Sequence, residues 1–246
     1  MALGTVGLLH PGEMGAAVGA VLRGRGTRVV WASEGRSAET RARAEAAGLE
    51  DVGSVAEVAR CDVVFSICPP HAALDVARSA DFAGIYVDAN AVSPATATKV
   101  GTSVGEFVDG GLVGPPPREP GTTRLYLSGA EAERVAELFR GSALEPRVVA
   151  NASAVKMAYA AWTKGTAAML LTIRELARRE GVEEALLEEW DLSQPTLRDR
   201  YERALRSADA KGWRWVGEME EIAASFEADG LPGGFHRAAA EVYRSR

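Results

Sequence analysis

Two stretches of the chain bring together residue types that can do chemistry. The first is Val6-Gly7-Leu8-Leu9-His10-Pro11-Gly12-Glu13-Met14-Gly15, between an apolar run at Thr5–Leu9 and a helical pattern from Ala16 to Leu22. A strand that turns into a helix through glycine presents free backbone N–H groups and the positive end of a helix dipole to an anion. One glycine lets the backbone approach a pyrophosphate, and another lets helix and strand pack closely. Gly12 and Gly15 stand at the second and third glycines of G-x-G-x-x-G, and His10 holds the place of the first. The second stretch opens a long helix: Lys156-Met157-Ala158-Tyr159-Ala160, with Thr163 one turn further on. Helical spacing puts Tyr159, Ala160 and Thr163 on the face of Lys156. With Val155, Met157 and Ala158 around it, the lysine amine is expected to titrate below its reference of about 10.4. Such an amine can act as general acid and base for a hydroxyl or a carbonyl. The bland alternative is a lysine at a helix start that snorkels to water. Tyr159 has three possible roles: proton donor, holder of a substrate oxygen, or interface aromatic with a satisfied hydroxyl.

Smaller groups surround these two. About 20 residues after the glycine turn, the end of a second strand decides between dinucleotides: an acid there binds the ribose 2′-hydroxyl of NAD. Here the chain reads Ala32-Ser33-Glu34-Gly35-Arg36-Ser37. Ser33, Arg36 and Ser37 suit a 2′-phosphate, because arginine meets phosphate with a planar fork of donors. Glu34 reads as a solvated loop carboxylate, so NADP(H) is expected over NAD(H). Cys68-Pro69-Pro70 ends another strand and is expected to line the adenosine side, with Cys68 serving packing more than chemistry. Asn90 ends a further strand at the sheet edge where open α/β sheets bind ligands. It is a candidate for cofactor or substrate contact, or an Asx-turn residue before Ser93-Pro94. His10, His71 and His236 are too scattered to argue for a metal, so no metal is expected.

These groups need a scaffold, and the hydropathy pattern supplies one. Apolar or β-branched runs at Thr5–Leu9, Thr27–Trp31 and Asp62–Ile67, and shorter strand candidates at Ile85–Asp88, Glu106–Val108 and Leu125–Ser128, alternate with helical stretches. That alternation predicts an α/β fold: a Rossmann-type parallel sheet over residues 1–150. From Ser153 the β-branched runs stop, and residues 151–246 read as a smaller all-α domain. Its helices are expected at Ala154–Glu180, Glu183–Trp190, Pro195–Ser207, Trp213–Asp229 and Gly234–Arg246, with Trp190, Trp213 and Trp215 in its core. The first two-thirds of the 154–180 helix is apolar nearly all round, which predicts burial. A thin helical domain can hardly cover it alone, so a homodimer through these helices is expected. Glu218-Met219 could then reach the partner's site.

Composition limits the partners. The chain has 246 residues, 47% apolar and 25% charged, close to an average soluble protein and unlike a disordered or collagen-like one. A net charge of −6 leaves no basic footprint for nucleic acid and no attraction to anionic membranes. The expected partner is a small-molecule substrate. Cys61 and Cys68 make neither a disulfide framework nor a C-x-x-C site. The apolar start, Met1 to Leu9, lacks a basic region and a cleavage signal, so a cytoplasmic location is expected.

The chain resembles the β-hydroxyacid dehydrogenase superfamily, which includes 6-phosphogluconate and 3-hydroxyisobutyrate dehydrogenases. Gly7 to Gly15 is similar to its G-x-I-G-L-G-x-M-G loop, and Val87 to Pro94 to its strand and turn ending in S-P. Asp109-Gly110-Gly111-Leu112-Val113-Gly114 is similar to its substrate loop, D-A-P-V-S-G-G, and Lys156 falls where the family has its lysine. The C-terminal segment, with Trp162 to Thr166, Glu218-Met219 and Gly230-Leu231-Pro232, is similar to the shorter helical domain of one branch. The resemblance implies cofactor contacts along Gly7 and His10 to Gly15, and substrate contacts at Asn90, Gly111 to Gly114, Ala160 and Thr163. It implies hydride transfer between the nicotinamide and a small hydroxy or keto substrate, with Lys156 handling the proton. Two departures stand out: the family's K-x-x-N-N reads here with Tyr159 and Ala160 at the two polar positions, and the loop has lost Ser-Gly-Gly and runs into Gly114-Pro115. Two rival readings stay open: an imine reductase with Tyr159 as proton donor, and a catalytically silent NADP(H)-binding regulator.

Overall fold

The computed structural model describes residues 4–246; residues 1–3, the start of the apolar N-terminus, lie outside the described residues. The chain divides into two compact units, one ending at Lys156 and the other running from Met157 to Arg246.

The first unit is built on an eight-stranded sheet with the order β3-β2-β1-β4-β5-β6-β7-β8. The strands are β1 (Thr5–Leu8), β2 (Arg28–Trp31), β3 (Glu50–Asp51), β4 (Val63–Ser66), β5 (Ile85–Asp88), β6 (Glu106–Val113), β7 (Thr123–Ser128) and β8 (Leu144–Val148). All neighbours run parallel except the antiparallel pair β6 and β7. The helices between them are α1 (Glu13–Gly24), α2 (Ala38–Ala46), α3 (Val55–Val58), α4 (Ala73–Ala77), α5 (Pro94–Gly101) and α6 (Ala132–Glu137). Every residue of β4 and β5 is buried, as expected of parallel strands covered on both faces. One face packs Val6, Leu8, Val63, Phe65 and Val87 under α1 and α6, and the other packs Leu9, Val64, Tyr86 and Val92. This is the parallel-sheet fold class read from the sequence. Three details differ. Expected to stop at Val108, β6 runs on to Val113, so Asp109–Val113 is strand and not loop. The short β3 and the edge strand β8 were not expected.

The second unit continues α7 (Ala152–Arg179) and adds α8 (Glu183–Ser193), α9 (Leu197–Ala228) and α10 (Gly234–Arg244). Gly181, at φ +72°, ends α7 in the left-handed conformation that glycine tolerates. The two helices expected on either side of residue 210 are one continuous 32-residue α9. Gly212 does not break it, because it lies under α10: a Cβ there would sit 3.6 Å from the Tyr243 ring. Lys164 and Glu218 pair at 2.7 Å with both side chains largely buried, and the Tyr243 hydroxyl donates to the Lys164 carbonyl. Glu218 is thus paired inside its own unit. Trp190 is buried, but Trp213 is 69% exposed and not in the core. The apolar surface of α7 is covered only in part: Met157, Ala160, Ala168 and Leu171 are buried, but Trp162 is 59% exposed and Leu176 60%. Among the described residues no helix is long and apolar enough to cross a membrane.

Candidate functional site

The chain goes from β1 to β2 and β3 on one side of the sheet, then crosses to β4 on the other. The crevice beyond the carboxyl ends of β1 and β4 is therefore the topological switch point, where open α/β sheets bind ligands. The glycine turn sits there. Gly12 is the N-cap of α1 in extended conformation, and a Cβ on it would meet nothing within 4 Å. Gly15 is different, since a Cβ there would run into the His10 carbonyl. Gly7 likewise has no room, because a Cβ would lie 3.1 Å from the Val58 carbonyl. Gly12 thus leaves open space at the helix N-terminus, while Gly7 and Gly15 permit close packing. Pro11, Glu13 and Met14 complete the turn and the first helical turn. An open, glycine-lined helix N-terminus at a switch point fits the pyrophosphate of a dinucleotide.

The β2–α2 loop is tightly held. Ser33 is buried, and its N–H donates to Asp51 Oδ1 at 3.2 Å. Arg41 clamps the loop by donating to the carbonyls of Ser33 (2.7 Å) and Arg36 (3.3 Å). Ser37 caps α2, accepting from the Thr40 N–H. Of the three residues expected at a 2′-phosphate, Ser37 uses its hydroxyl to cap α2, and Ser33 is bonded through its backbone N–H to Asp51 of β3. The Arg36 Nε is buried without a hydrogen-bond partner.

Beyond β4 and β5, Asn90 is only 2% exposed. Its Oδ1 accepts from the Cys68 N–H at 2.6 Å, and its Nδ2 donates to Ser66 Oγ at 3.0 Å and to Asp88. Asn90 therefore ties the two strand ends together. Both ends of its amide are thereby engaged within the protein, as a turn-holding residue requires. It holds the Cys68-Pro69-Pro70 turn, where Pro69 and Pro70 start a 3-10 turn. Burial pushes the Cys68 thiol up to about 11, so it stays protonated and serves packing.

Lys156 comes to the same sheet edge from the start of α7. Its Nζ donates to the Leu112 carbonyl at 2.8 Å. Leu112 and Val113 are buried strand residues, so the backbone of β6 and not their side chains is what this edge offers. Gly114, at φ +128°, turns the chain away against Thr122 and Thr123. The first turn of α7 is fixed by groups that the sequence did not single out. Asp109 Oδ2 accepts from the Ser153 N–H (2.8 Å) and Ser128 Oγ (3.0 Å), Ser128 Oγ accepts from the Ala152 N–H, and Asn151 Oδ1 accepts from the Ala154 N–H. Carboxylate and amide oxygens at a helix N-terminus satisfy its free donors, and the buried Asp109 carboxylate also complements its dipole. Further along α7, Tyr159 is 45% exposed and Ala160 is buried. The Thr163 hydroxyl donates back to the Tyr159 and Ala160 carbonyls, so it is spent on its own helix.

A sheet with this order, a glycine turn at its switch point and an all-α second unit define a protein of the hydroxyacid-dehydrogenase fold class. The comparisons narrow the class. A family model described as a domain of unknown function, DUF1932, matches residues 177–245. A solved structure described as a conserved protein of unknown function with structural similarity to 3-hydroxyacid dehydrogenases is 31% identical, covering 98% of this chain and 96% of that one with a TM-score of 0.72. An uncharacterized 28.5 kDa protein of Methanothermus fervidus is 33% identical over 163 residues, which is 63% of this chain and 64% of that protein, just under two thirds of its length. The fold alone is shared with 3-hydroxyisobutyrate dehydrogenase of Mycobacterium tuberculosis (19% identity, 100% and 94% covered, TM-score 0.70). It is also shared with an imine reductase of Myxococcus stipitatus (19% identity, 100% and 93% covered, TM-score 0.56). The chain belongs to the same 3-hydroxyacid dehydrogenase-like family as that conserved protein of unknown function, and its C-terminal helices carry the DUF1932 domain.

Proposed function

We propose that the protein is an NADP(H)-dependent oxidoreductase of a small hydroxy or keto substrate. The observation that carries this reading is the Lys156 Nζ held at the Leu112 carbonyl. Strands β1, β4, β5 and β6 are all parallel, so the end of β6 shares the sheet edge with the glycine turn. The nicotinamide supplies or accepts the hydride when bound. The work of the chain is to seat the phosphates at Gly12–Gly15, to hold the ammonium of Lys156 at the sheet edge, and to pass its proton to or from the substrate oxygen. Asp109 and Ser128 are positioning residues, because they fix the helix turn that carries the lysine.

A second reading is favoured by one observation. Tyr159 is 45% exposed one turn after Lys156 and stands where the family has a polar residue, so it could serve as the proton donor of an imine reductase. Consumption of NADPH, followed by absorbance over a panel of small keto acids and cyclic imines, separates the two. Turnover of keto acids supports the first reading, and turnover of imines alone supports the second.

The active assembly is proposed to be a homodimer through the helical unit. An open apolar groove of about 680 Å³, lined by Trp162, Met169, Ile173, Phe226 and Phe235, lies on that unit. Exposed apolar surface of this kind marks an interaction site. A cytoplasmic location agrees with the acidic charge and the reduced cysteines.

A further inference from the structure

We propose that His10 and Arg36 together form the seat of the cofactor's 2′-phosphate, and that the imidazole takes up a proton when that phosphate binds. This rests on the NADP(H) reading above. His10 stands where the dinucleotide motif has its first glycine, at the end of β1, and Arg36 comes from the loop after β2. Two observations converge on the pair. The Nδ1 of His10 and the Nε of Arg36 are both buried polar atoms without a hydrogen-bond partner among the described residues. Buried polar atoms without partners are uncommon and each needs an explanation. An anion between the two side chains satisfies both atoms at once, and a phosphate has the oxygens to do so.

The electrostatics match. Burial, and then the Arg36 charge, hold the His10 imidazole down at about 4, so without cofactor it is neutral near neutral pH. Arg36 also acts on the Cys68 thiol at the end of β4, which puts its guanidinium among the ends of β1, β2 and β4. The other charged groups nearby are Glu34 on the second loop, Glu13 at the start of α1, Arg41 on α2 and Asp51 on β3, and Asp88 acts on Cys68 from β5. Arg36 is the one charge that acts on His10 itself. A phosphate placed between them cancels its effect and favours imidazolium, which then donates from Nδ1. Binding of the 2′-phosphate is thereby coupled to uptake of a proton.

The test is titration calorimetry of NADPH and NADH at about pH 8 and about pH 6, on the parent protein and on His10→Asn. The variant reports the titration of the 2′-phosphate itself, whose second pKa is about 6. The expected result is that the parent-to-variant ratio of NADPH affinity rises about four- to tenfold from the higher to the lower pH. NADH should show no such rise. A companion measurement needs no variant: the His10 ring resonances, titrated with NADPH bound, should report a pKa well above that of the free protein, and with NADH bound should not. An unchanged ratio, or a His10 pKa that NADPH leaves low, overturns the inference while a preference for NADPH still stands. Equal binding of NADPH and NADH at every pH overturns the NADP(H) reading, and this inference with it.

Discussion

The Lys156 Nζ donates a 2.8 Å hydrogen bond to the Leu112 carbonyl, across 44 residues of chain. The neighbouring residue makes this approach possible. A Cβ on Gly111 would lie 2.9 Å from the Ala152 carbonyl oxygen and 3.0 Å from the Lys156 Cβ. Glycine at 111 is thus a matter of room between β6 and α7, not of a loop that wraps substrate.

Gly111→Ala should therefore push the start of α7 off the strand. The expected cost is about 1–3 kcal/mol of stability, the usual range for overpacking. Urea unfolding checks it, and an unchanged midpoint would mean that α7 has room to shift.

Arg36 carries the dinucleotide preference in this account, since the Ser37 hydroxyl caps α2 and Ser33 is bonded through its backbone N–H to Asp51. NADPH should bind at least tenfold tighter than NADH, about 1.4 kcal/mol. Arg36→Ala should remove most of that gap in calorimetric titration. Equal affinities in the parent protein would return the choice to Glu34 and an NAD-type site.

Acid should weaken the cofactor-free protein through His10. Its imidazole is held at about 4 in the native state, below the ordinary value of about 6.5. The unfolded chain therefore binds more protons between these values, and native stability is lost as pH falls from about 6.5 toward 4. The loss attributable to His10 should be roughly 2–3 kcal/mol. Burial lowers His236 as well, so the readout is the difference between the parent and His10→Asn in urea midpoints along that range. Parallel curves for the two proteins would contradict the burial of His10.

The exposed apolar residues of α7 and α10, with Trp162 at 59% and Phe235 at 71%, should be covered in solution. Light scattering is expected to give near twice 26.0 kDa. A monomer at micromolar concentration would leave this face without an occupant.

Much of this fold was legible in the sequence, and the exceptions have physical causes. The strand candidate Ile85–Asp88, apolar through Val87, is strand β5 to the residue, since a strand buried on both faces needs no alternation. Strand β8 reads Leu144-Glu145-Pro146-Arg147-Val148, and the proline and charges that hide it are those an edge strand tolerates. The helices expected to end at Ser207 and to restart at Trp213 are one, and Gly212 between them packs against Tyr243, which only tertiary structure reveals. Lys156 could be singled out only with the family resemblance, since by itself a lysine at a helix start also reads as one that snorkels to water. Asp109 could not, because its partners Ser128 and Ser153 are distant in sequence. Asn90 looked like a ligand contact because it ends a strand at the binding edge, yet its amide is consumed by Cys68, Ser66 and Asp88.

The most direct test of the central claim is the kcat of Lys156→Met on the substrate that the panel yields, measured beside its NADPH affinity. A positioned proton donor and acceptor contributes about 10²–10⁴-fold in rate. The account expects kcat to fall by that factor with NADPH affinity nearly unchanged, because the phosphates sit at Gly12–Gly15 and Arg36. If Lys156→Met keeps nearly full activity while Tyr159→Phe loses it, the lysine does not handle the proton, and the imine-reductase reading replaces the one proposed.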